Sequence, residues 1–350
     1  MARKILFYTH SFGGGGAEIV FERLAAAFAA AGDDVVFAAD HPGPTPTRDG
    51  PNLRHVLLGD GGHVGTTRQL SALLRDHEPH ASFSALGAQN LKHLTAAVLA
   101  GRRRRCVLGY HGFASAEPKR LSRLAYWATP LTTRLAAATI CVSDALLDDV
   151  RRRWHGSRAR TLRIYNPVAS LQAGADRRDT PPLILACGRL EPVKRFPDLV
   201  AALAHVKPST ARLAILGAGS ERPRIEAEIA RLGLGDRVDL PGHVVDPAPW
   251  YRRAACLAIS SETESFGLTA AEALAHGIPV VTTACQGPPE IIDHGRYGRI
   301  VPIGDVAQLA SALTETLAAP FDAVAGRARA AAFALPAIRR AYADLIDSLA

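Results

Sequence analysis

Two carboxylates and two cations stand where their types and spacing could do chemistry on an anionic substrate. Glu264 and Glu272 lie eight residues apart in the run from Ser260 to Gly277. That run follows the apolar stretch 254–259, which reads as a buried strand, and passes into an Ala/Leu-rich helix closed by Gly277. Phe266, Gly267 and Leu268 then occupy a helix start, where unpaired N–H groups and the positive end of the dipole favour an anion. At about 100° per residue the spacing does not stack the two glutamates on one helix face, so they would reach different parts of one ligand. Taken singly, each reads more simply as a solvated surface residue. Upstream, Arg189 and Lys194 flank the mouth of the strand Leu183–Cys187. A forked guanidinium and a flexible ammonium can together neutralise a diphosphate.

A second group of candidates lies near the start of the chain. Residues 4–8 read as a strand, Ser11 to Glu18 follows with four successive glycines at 13–16, and a helix is expected to begin near Ile19. Glycine lets backbone N–H groups approach a phosphate closely, because no Cβ holds the ligand away. The spacing meets neither the dinucleotide fingerprint nor the GxxxxGK[ST] loop. His111 directly follows the strand Cys106–Tyr110, at the edge where open parallel sheets hold ligands, although a satisfied structural histidine reads as well there. The other twelve of the 13 histidines have no such placement.

The elements that must position these residues alternate. Apolar strands and Ala/Leu helices recur through both halves of the 350 residues, the mark of doubly wound α/β domains with parallel sheets. The length suits two domains with full cores. The expected divisions are 1–168, a polar linker at 169–182, a second domain at 183–333, and a closing helix at 334–350. Five scattered cysteines without a CxxC pair argue for a reducing compartment and against structural zinc. No apolar stretch is long enough to span a bilayer and the first residues lack a signal-peptide core, so the expectation is a cytoplasmic protein.

Charge is uneven. Residues 1–168 hold 22 of the 41 Lys and Arg but 13 of the 33 Asp and Glu, a net +9 against −1 for the remainder. A basic first half fits an anionic partner, whether membrane, phosphorylated substrate or nucleic acid; biased Arg- and Ala-rich coding would produce the same excess. Lys119, Arg120, Arg123, Tyr126 and Trp127, interleaved with Leu121, Leu124 and Leu131, suit a contact with the inner membrane face, with Arg102–Arg105 and residues 151–153 adding charge. A solvated charged face is the plainer reading of the same run.

In order along the chain, Gly13–Gly16 with Glu18, the run Tyr165 to Val168, Gly188-Arg189-Leu190 with Lys194, the Glu264/Glu272 pair around Phe266–Leu268, and Gly287 to Ile292 resemble the retaining glycosyltransferases of family 4. The resemblance covers nearly the whole chain and implies the glycosyltransferase B fold, two Rossmann-like domains facing a central cleft. It implies acceptor binding by the first domain, nucleotide-sugar binding by the second, and a C-terminal helix that packs back on the first. Position by position, Arg189 and Lys194 would neutralise the donor's diphosphate and Glu272 would bind the ribose. Glu264 would face the transferred sugar, with the backbone at Phe266–Leu268 on phosphate or sugar oxygens. Gly15 and Gly16 would meet the diphosphate from the first domain, and His111 would contact the sugar near its reactive carbon.

The reaction implied is retaining transfer of a hexosyl unit from a nucleotide sugar to a glycan, lipid-linked or small-molecule acceptor. UDP is the expected nucleotide on frequency alone. No Asp-x-Asp follows a strand, so no metal and no cofactor are expected, the cations serving the leaving group instead. The short linker and the fourth glycine depart from the family pattern and leave the donor open. A sugar-nucleotide epimerase or a phosphorylase can share the fold, but no pyridoxal-phosphate lysine site is recognisable. A nicotinamide oxidoreductase would need a cleaner glycine fingerprint. A non-enzymatic nucleic-acid binder would use the basic half but leave Glu264/Glu272 and Arg189/Lys194 without a role, so nucleic acid is not an expected partner.

Overall fold

The computed structural model describes residues 2–43, 49–59, 61–116, 125–168 and 180–349. Most of the expected linker, and Lys119, Arg120, Leu121, Arg123 and Leu124, lie outside the described residues. The chain divides into two compact units, Met1–Ala169 with Phe333–Ala350, and Ser170–Ala332.

The first unit is built on seven strands: β1 Lys4–Ser11, β2 Asp34–His41, β3 Leu53–Leu57, β4 Ala81–Ala85, β5 Cys106–Tyr110, β6 Ala138–Cys141 and β7 Thr161–Arg163. They are parallel throughout, in the order β3-β2-β1-β4-β5-β6-β7. The central strands are apolar without alternation because helices cover both faces. On one face Phe7 stacks on Phe83 at 5.3 Å and meets the edge of Phe21 at 5.1 Å. On the other, Leu6 and Tyr8 join Leu70, Leu74 and Leu94 from the flanking helices. The closing helix Leu335–Ser348 packs on the Phe7 face: Tyr342 lies 5.2 Å from Phe83, and Arg3 holds Asp347 with two hydrogen bonds of 2.9 and 2.8 Å.

The second unit carries six parallel strands: β8 Leu183–Cys187, β9 Arg212–Leu216, β10 Val238–Gly242, β11 Cys256–Ile259, β12 Val280–Thr283 and β13 Gly298–Val301. Their order is β10-β9-β8-β11-β12-β13. Both units are doubly wound α/β domains. In each, the order reverses beside the unit's first strand, between β1 and β4 and between β8 and β11. Such a reversal opens a crevice at the carboxyl ends of the strands.

Three local expectations change. The first strand runs on to Ser11, and its helix, Gly16–Ala30, begins at the last glycine rather than near Ile19. Packing of Val20, Phe21 and Leu24 into the core outweighs the low helix propensity of that glycine. Tyr126 is not part of an exposed face: it is buried, 5.4 Å from Tyr110, and its hydroxyl donates to the Gly112 carbonyl at 2.5 Å. Trp127 and Leu131 of that run are exposed, at 75% and 61%.

Candidate active site

In the second unit the loops after β8 and β11 face each other across the strand-order reversal. The β8 loop turns at Gly188, where an added Cβ would stand 3.3 Å from Lys194 Cε, so the missing side chain lets the lysine stem lie over the turn. The loop is tied to the neighbouring Gly217–Gly219 turn, with Gly188 N donating to Leu216 O at 2.9 Å and Leu190 N to Ala218 O at 2.9 Å. Arg189 projects from this loop and is exposed.

Lys194 reaches across and donates its ammonium to Glu264 Oε1. Ser261 Oγ donates to the same oxygen at 3.1 Å, and Ser260 Oγ to the Lys194 carbonyl at 2.7 Å. Glu264 is thus not a freely solvated loop residue; its side chain is 19% exposed. Its backbone is fixed as well, donating to Cys285 O at 3.0 Å and accepting from Gly287 N at 2.9 Å. The intervening Gln286 sits at φ +69°, ψ −82°, and Gly287 N also donates to Cys285 O at 3.1 Å. That is the rarer, strained γ-turn, and strain of this kind gathers at functional sites.

The segment 266–268 starts the helix Leu268–Ala275 from Gly267 at φ +91°, a residue with no side chain to cap it. Two close approaches form this helix start. A Cβ on Gly267 would come within 2.8 Å of Pro288 Cγ, and one on Gly287 within 2.6 Å of Phe266 N. First-turn N–H groups and the dipole there suit an anion. Glu272, one turn further on, does not point freely into solvent: the buried Tyr251 hydroxyl donates to its Oε2 at 3.0 Å. Burial, with Cys187 and Glu272 close by, pushes the Tyr251 hydroxyl well above its usual range, so it stays a donor. Its ring lies parallel to His276, 4.9 Å away, and His276 Nδ1 is 2.8 Å from the Glu272 carbonyl.

The remaining sequence candidates belong to the first unit. Gly13 and Gly14 take positive φ, +75° and +94°, whereas Gly15 is extended and precedes the helix Gly16–Ala30. A Cβ on Gly15 would meet Glu18 Oε2 at 2.4 Å, so the chain's own buried carboxylate lies over this helix start. That is the electrostatic opposite of the uncapped start at Gly267. His111 packs against the edge of Phe21, ring centroids 5.6 Å apart, and burial pushes its pKa down to about 4, so the imidazole is neutral near pH 7. Sequence reasoning brought Lys194 and Glu264 to one site without foreseeing that they pair. It missed Tyr251 and Ser261, for which no spacing or composition signal exists.

Two doubly wound units with a cation–carboxylate pair at one reversal define a two-domain fold of glycosyltransferase B type. The chain belongs to glycosyltransferase family 4: residues 14–170 match the model described as Glycosyltransferase Family 4, and residues 181–319 the one described as Glycosyl transferases group 1. Among curated proteins, the D-inositol 3-phosphate glycosyltransferase of Xylanimonas cellulosilytica is 39% identical over 170 residues, which is 45% of this chain and 38% of that protein's length. Among solved structures, sucrose-phosphate synthase from Thermosynechococcus elongatus aligns over 99% of both chains with a TM-score of 0.84 and 22% identity. Anabaena HepE in complex with UDP aligns over 99% of this chain and 100% of its own, with a TM-score of 0.82 and 21% identity. At that identity the structures establish the fold.

Proposed function

We propose that this chain is a retaining, metal-independent glycosyltransferase. It moves a hexosyl unit from a nucleotide sugar, UDP-linked on this reading, to a glycan, lipid-linked or small-molecule acceptor. The observation that carries the proposal is Lys194 held against Glu264 beside the uncapped helix start at Gly267, because the three offer a cation, a hydroxyl acceptor and anion-binding N–H groups within one crevice. Arg189 and Lys194 take the diphosphate, Glu264 a sugar hydroxyl, and Glu272, aimed by Tyr251, the ribose hydroxyls. UDP is supported by the solved Anabaena HepE structures, which hold UDP and UDP-glucose.

Transfer proceeds by front-face attack. The acceptor oxygen bonds to the anomeric carbon on the side from which the diphosphate oxygen departs, and that departing oxygen takes the acceptor's proton. Arg189, Lys194 and the helix dipole stabilise charge that grows on the leaving group, which is where such groups lower a barrier most. His111, neutral at pH 7, exchanges hydrogen bonds with the sugar rather than contributing charge.

The test is nucleotide release from UDP-, GDP- and ADP-sugars with and without acceptor, in buffer containing EDTA, and assignment of the product anomer by NMR. Release from one nucleotide series, unaffected by EDTA and with the anomer kept, is expected. A carbonyl or epimerised sugar as product, or no release from any donor, overturns the reading.

The reading includes work in the cytoplasm at the inner membrane face. Among the described residues no helix is long and apolar enough to cross a membrane. Support for a peripheral contact is the exposed pair Trp127, just before the helix Thr129–Leu135, and Leu131 within it, with Trp154 5.8 Å from Trp127 and Arg153 over the Trp154 ring. Aromatic and aliphatic side chains beside cations suit an anionic lipid surface. Co-sedimentation with phosphatidylglycerol vesicles should fall several-fold in Trp127→Ala/Leu131→Ala; unchanged sedimentation removes this contact from the proposal.

A further inference from the structure

Glu264 receives two donors on one carboxylate oxygen and none on the other. Lys194 Nζ and, at 3.1 Å, Ser261 Oγ both donate to Oε1, and among the described residues no donor reaches Oε2. The two donors differ in kind. Lys194 carries its ammonium on a flexible four-carbon stem and is the group that a diphosphate would draw toward itself. Ser261 has a single proton to give, and it goes to Glu264.

Ser261 is fixed where Lys194 is not. It is 2% exposed and lies two residues past the end of β11. Its carbonyl accepts from Thr283 Oγ1 of β12 at 2.5 Å, and the next residue, Glu262, donates its N–H to Val193 O in the β8 loop at 2.8 Å. Ser260 Oγ ties the same stretch to the Lys194 carbonyl at 2.7 Å. The Ser261 hydroxyl therefore projects from a backbone pinned on both sides, while the Glu264 backbone is held separately by Cys285 and Gly287. What remains adjustable is the Glu264 side chain, and of its two anchors only the serine is rigid. A buried hydroxyl that donates to an ionised oxygen is also a stronger tie than a neutral hydrogen bond.

We propose that Ser261 is a positioning residue that keeps Glu264 Oε1 in place when Lys194 turns to the diphosphate, so that Oε2 stays directed at one hydroxyl of the transferred sugar. This deepens the transferase reading above and rests on it. With Oε1 occupied, the carboxylate presents one acceptor and no donor. The site then selects a sugar whose hydroxyl gives a proton at that place, and an unanswered carboxylate oxygen rejects a sugar that lacks one. Lys194 serves the leaving group and Ser261, acting through Glu264, serves sugar selection.

The probes are UDP-glucose, UDP-galactose and UDP-N-acetylglucosamine, each with analogues in which the hydroxyl on carbon 3, 4 or 6 of the sugar is replaced by fluorine, which does not donate. UDP release gives kcat and KM, and calorimetry gives the affinity for UDP. In the natural chain one fluorine should cost about tenfold or more in kcat/KM. Ser261→Ala should lower kcat/KM for the parent sugar by about tenfold and shrink that fluorine penalty to within about threefold, whereas Ser261→Thr, which keeps the hydroxyl, should retain it. Affinity for UDP, which lacks the transferred sugar, should agree within about twofold in all three proteins, and in a Glu264→Ala background Ser261→Ala should cost nothing further. No fluorine penalty in the natural chain, an undiminished penalty in Ser261→Ala, a parallel loss of UDP affinity, or a further loss in the Glu264→Ala background overturns the proposal. So does a Ser261→Ala chain that urea melts show to be unfolded, since the serine is then a loop brace. If the threonine methyl does not fit, Ser261→Cys, a weaker donor of nearly the same size, takes its place, and its penalty should lie between those of serine and alanine. A natural chain that releases UDP from none of the three sugars sinks the UDP-sugar reading, and the proposal with it.

Discussion

Lys194 donates to Glu264 across the β8/β11 reversal, joining residues seventy positions apart in the loops that follow two neighbouring strands. The pair is mostly buried, with 17% and 19% of the two side chains exposed, so removing its cation leaves a largely desolvated carboxylate and costs the fold about 1–3 kcal/mol. On the proposed mechanism its worth to transfer is larger, since a cation beside a departing diphosphate acts where charge grows. Lys194→Ala should lower kcat by about 100-fold or more, with a denaturation midpoint lowered only by that modest loss. Matched kinetics and urea unfolding separate the two effects, and an unchanged kcat would remove Lys194 from the leaving-group role.

Tyr251 supplies the second prediction. Its buried hydroxyl points at Glu272, and a hydrogen bond to a charged group contributes about 1.5–3 kcal/mol. Tyr251→Phe keeps the ring stacked on His276 and removes only that donor. Glu272 then loses its orientation, and affinity for the nucleotide should weaken by about tenfold or more while kcat at saturating donor changes little. Calorimetry with UDP measures it. Equal loss in kcat and affinity would mean that Tyr251 matters to chemistry, not to ribose binding.

The central strands of both sheets were legible because buried parallel strands are continuous apolar runs, and those runs place Arg189, Lys194 and His111 at carboxyl ends. β7 was not, since three residues at a sheet edge carry no periodicity. The Lys194–Glu264 contact was also out of reach of the chain's order. It depends on β8 lying beside β11, although β9 and β10 intervene in sequence, and adjacency is a property of topology. The helix start at Gly267 was readable from Gly277 and the alanine run, whereas the strained turn at Gln286 that locks Glu264 left no mark that a glutamine could carry.

The glycines around that turn make a steric prediction with an internal control. Gly287→Ala drives a Cβ to 2.6 Å from the Phe266 backbone nitrogen, and Gly267→Ala adds a positive φ to a 2.8 Å approach to Pro288. Neither can relax by moving a flexible side-chain end. Each should destabilise the second unit by about 1–3 kcal/mol and displace the 266–268 backbone. Nothing lies within 4 Å of a Cβ on Gly235, so Gly235→Ala should be nearly neutral. Urea unfolding of the three proteins, with UDP thermal shifts alongside, tests the contrast; if all three behave alike, close packing does not explain these glycines.

Acid stability follows from histidines that the fold keeps neutral. His93 is fully buried between Ser84 Oγ at 2.9 Å and Ser82 Oγ at 2.8 Å, and burial pushes its pKa down to about 3. His111 is pushed down to about 4 by the same cause, and His77 is lowered too, burial outweighing the nearby Asp34. An unfolded histidine titrates near 6.5, so below that pH the unfolded chain takes up protons that the folded chain refuses. The stabilisation is complete above about pH 6.5 and is lost as pH falls toward the folded values. Each fully refused proton steepens the fall by up to about 1.4 kcal/mol per pH unit. His93→Gln removes one such group and should flatten the slope of unfolding free energy between pH 6.5 and 5 by about that amount, whatever the replacement does to stability at pH 7. Histidine C2 proton NMR supplies the independent check: His93 and His111 should show no titration down to pH 5. A midpoint near 6 for both would remove the refused protons and the slope with them.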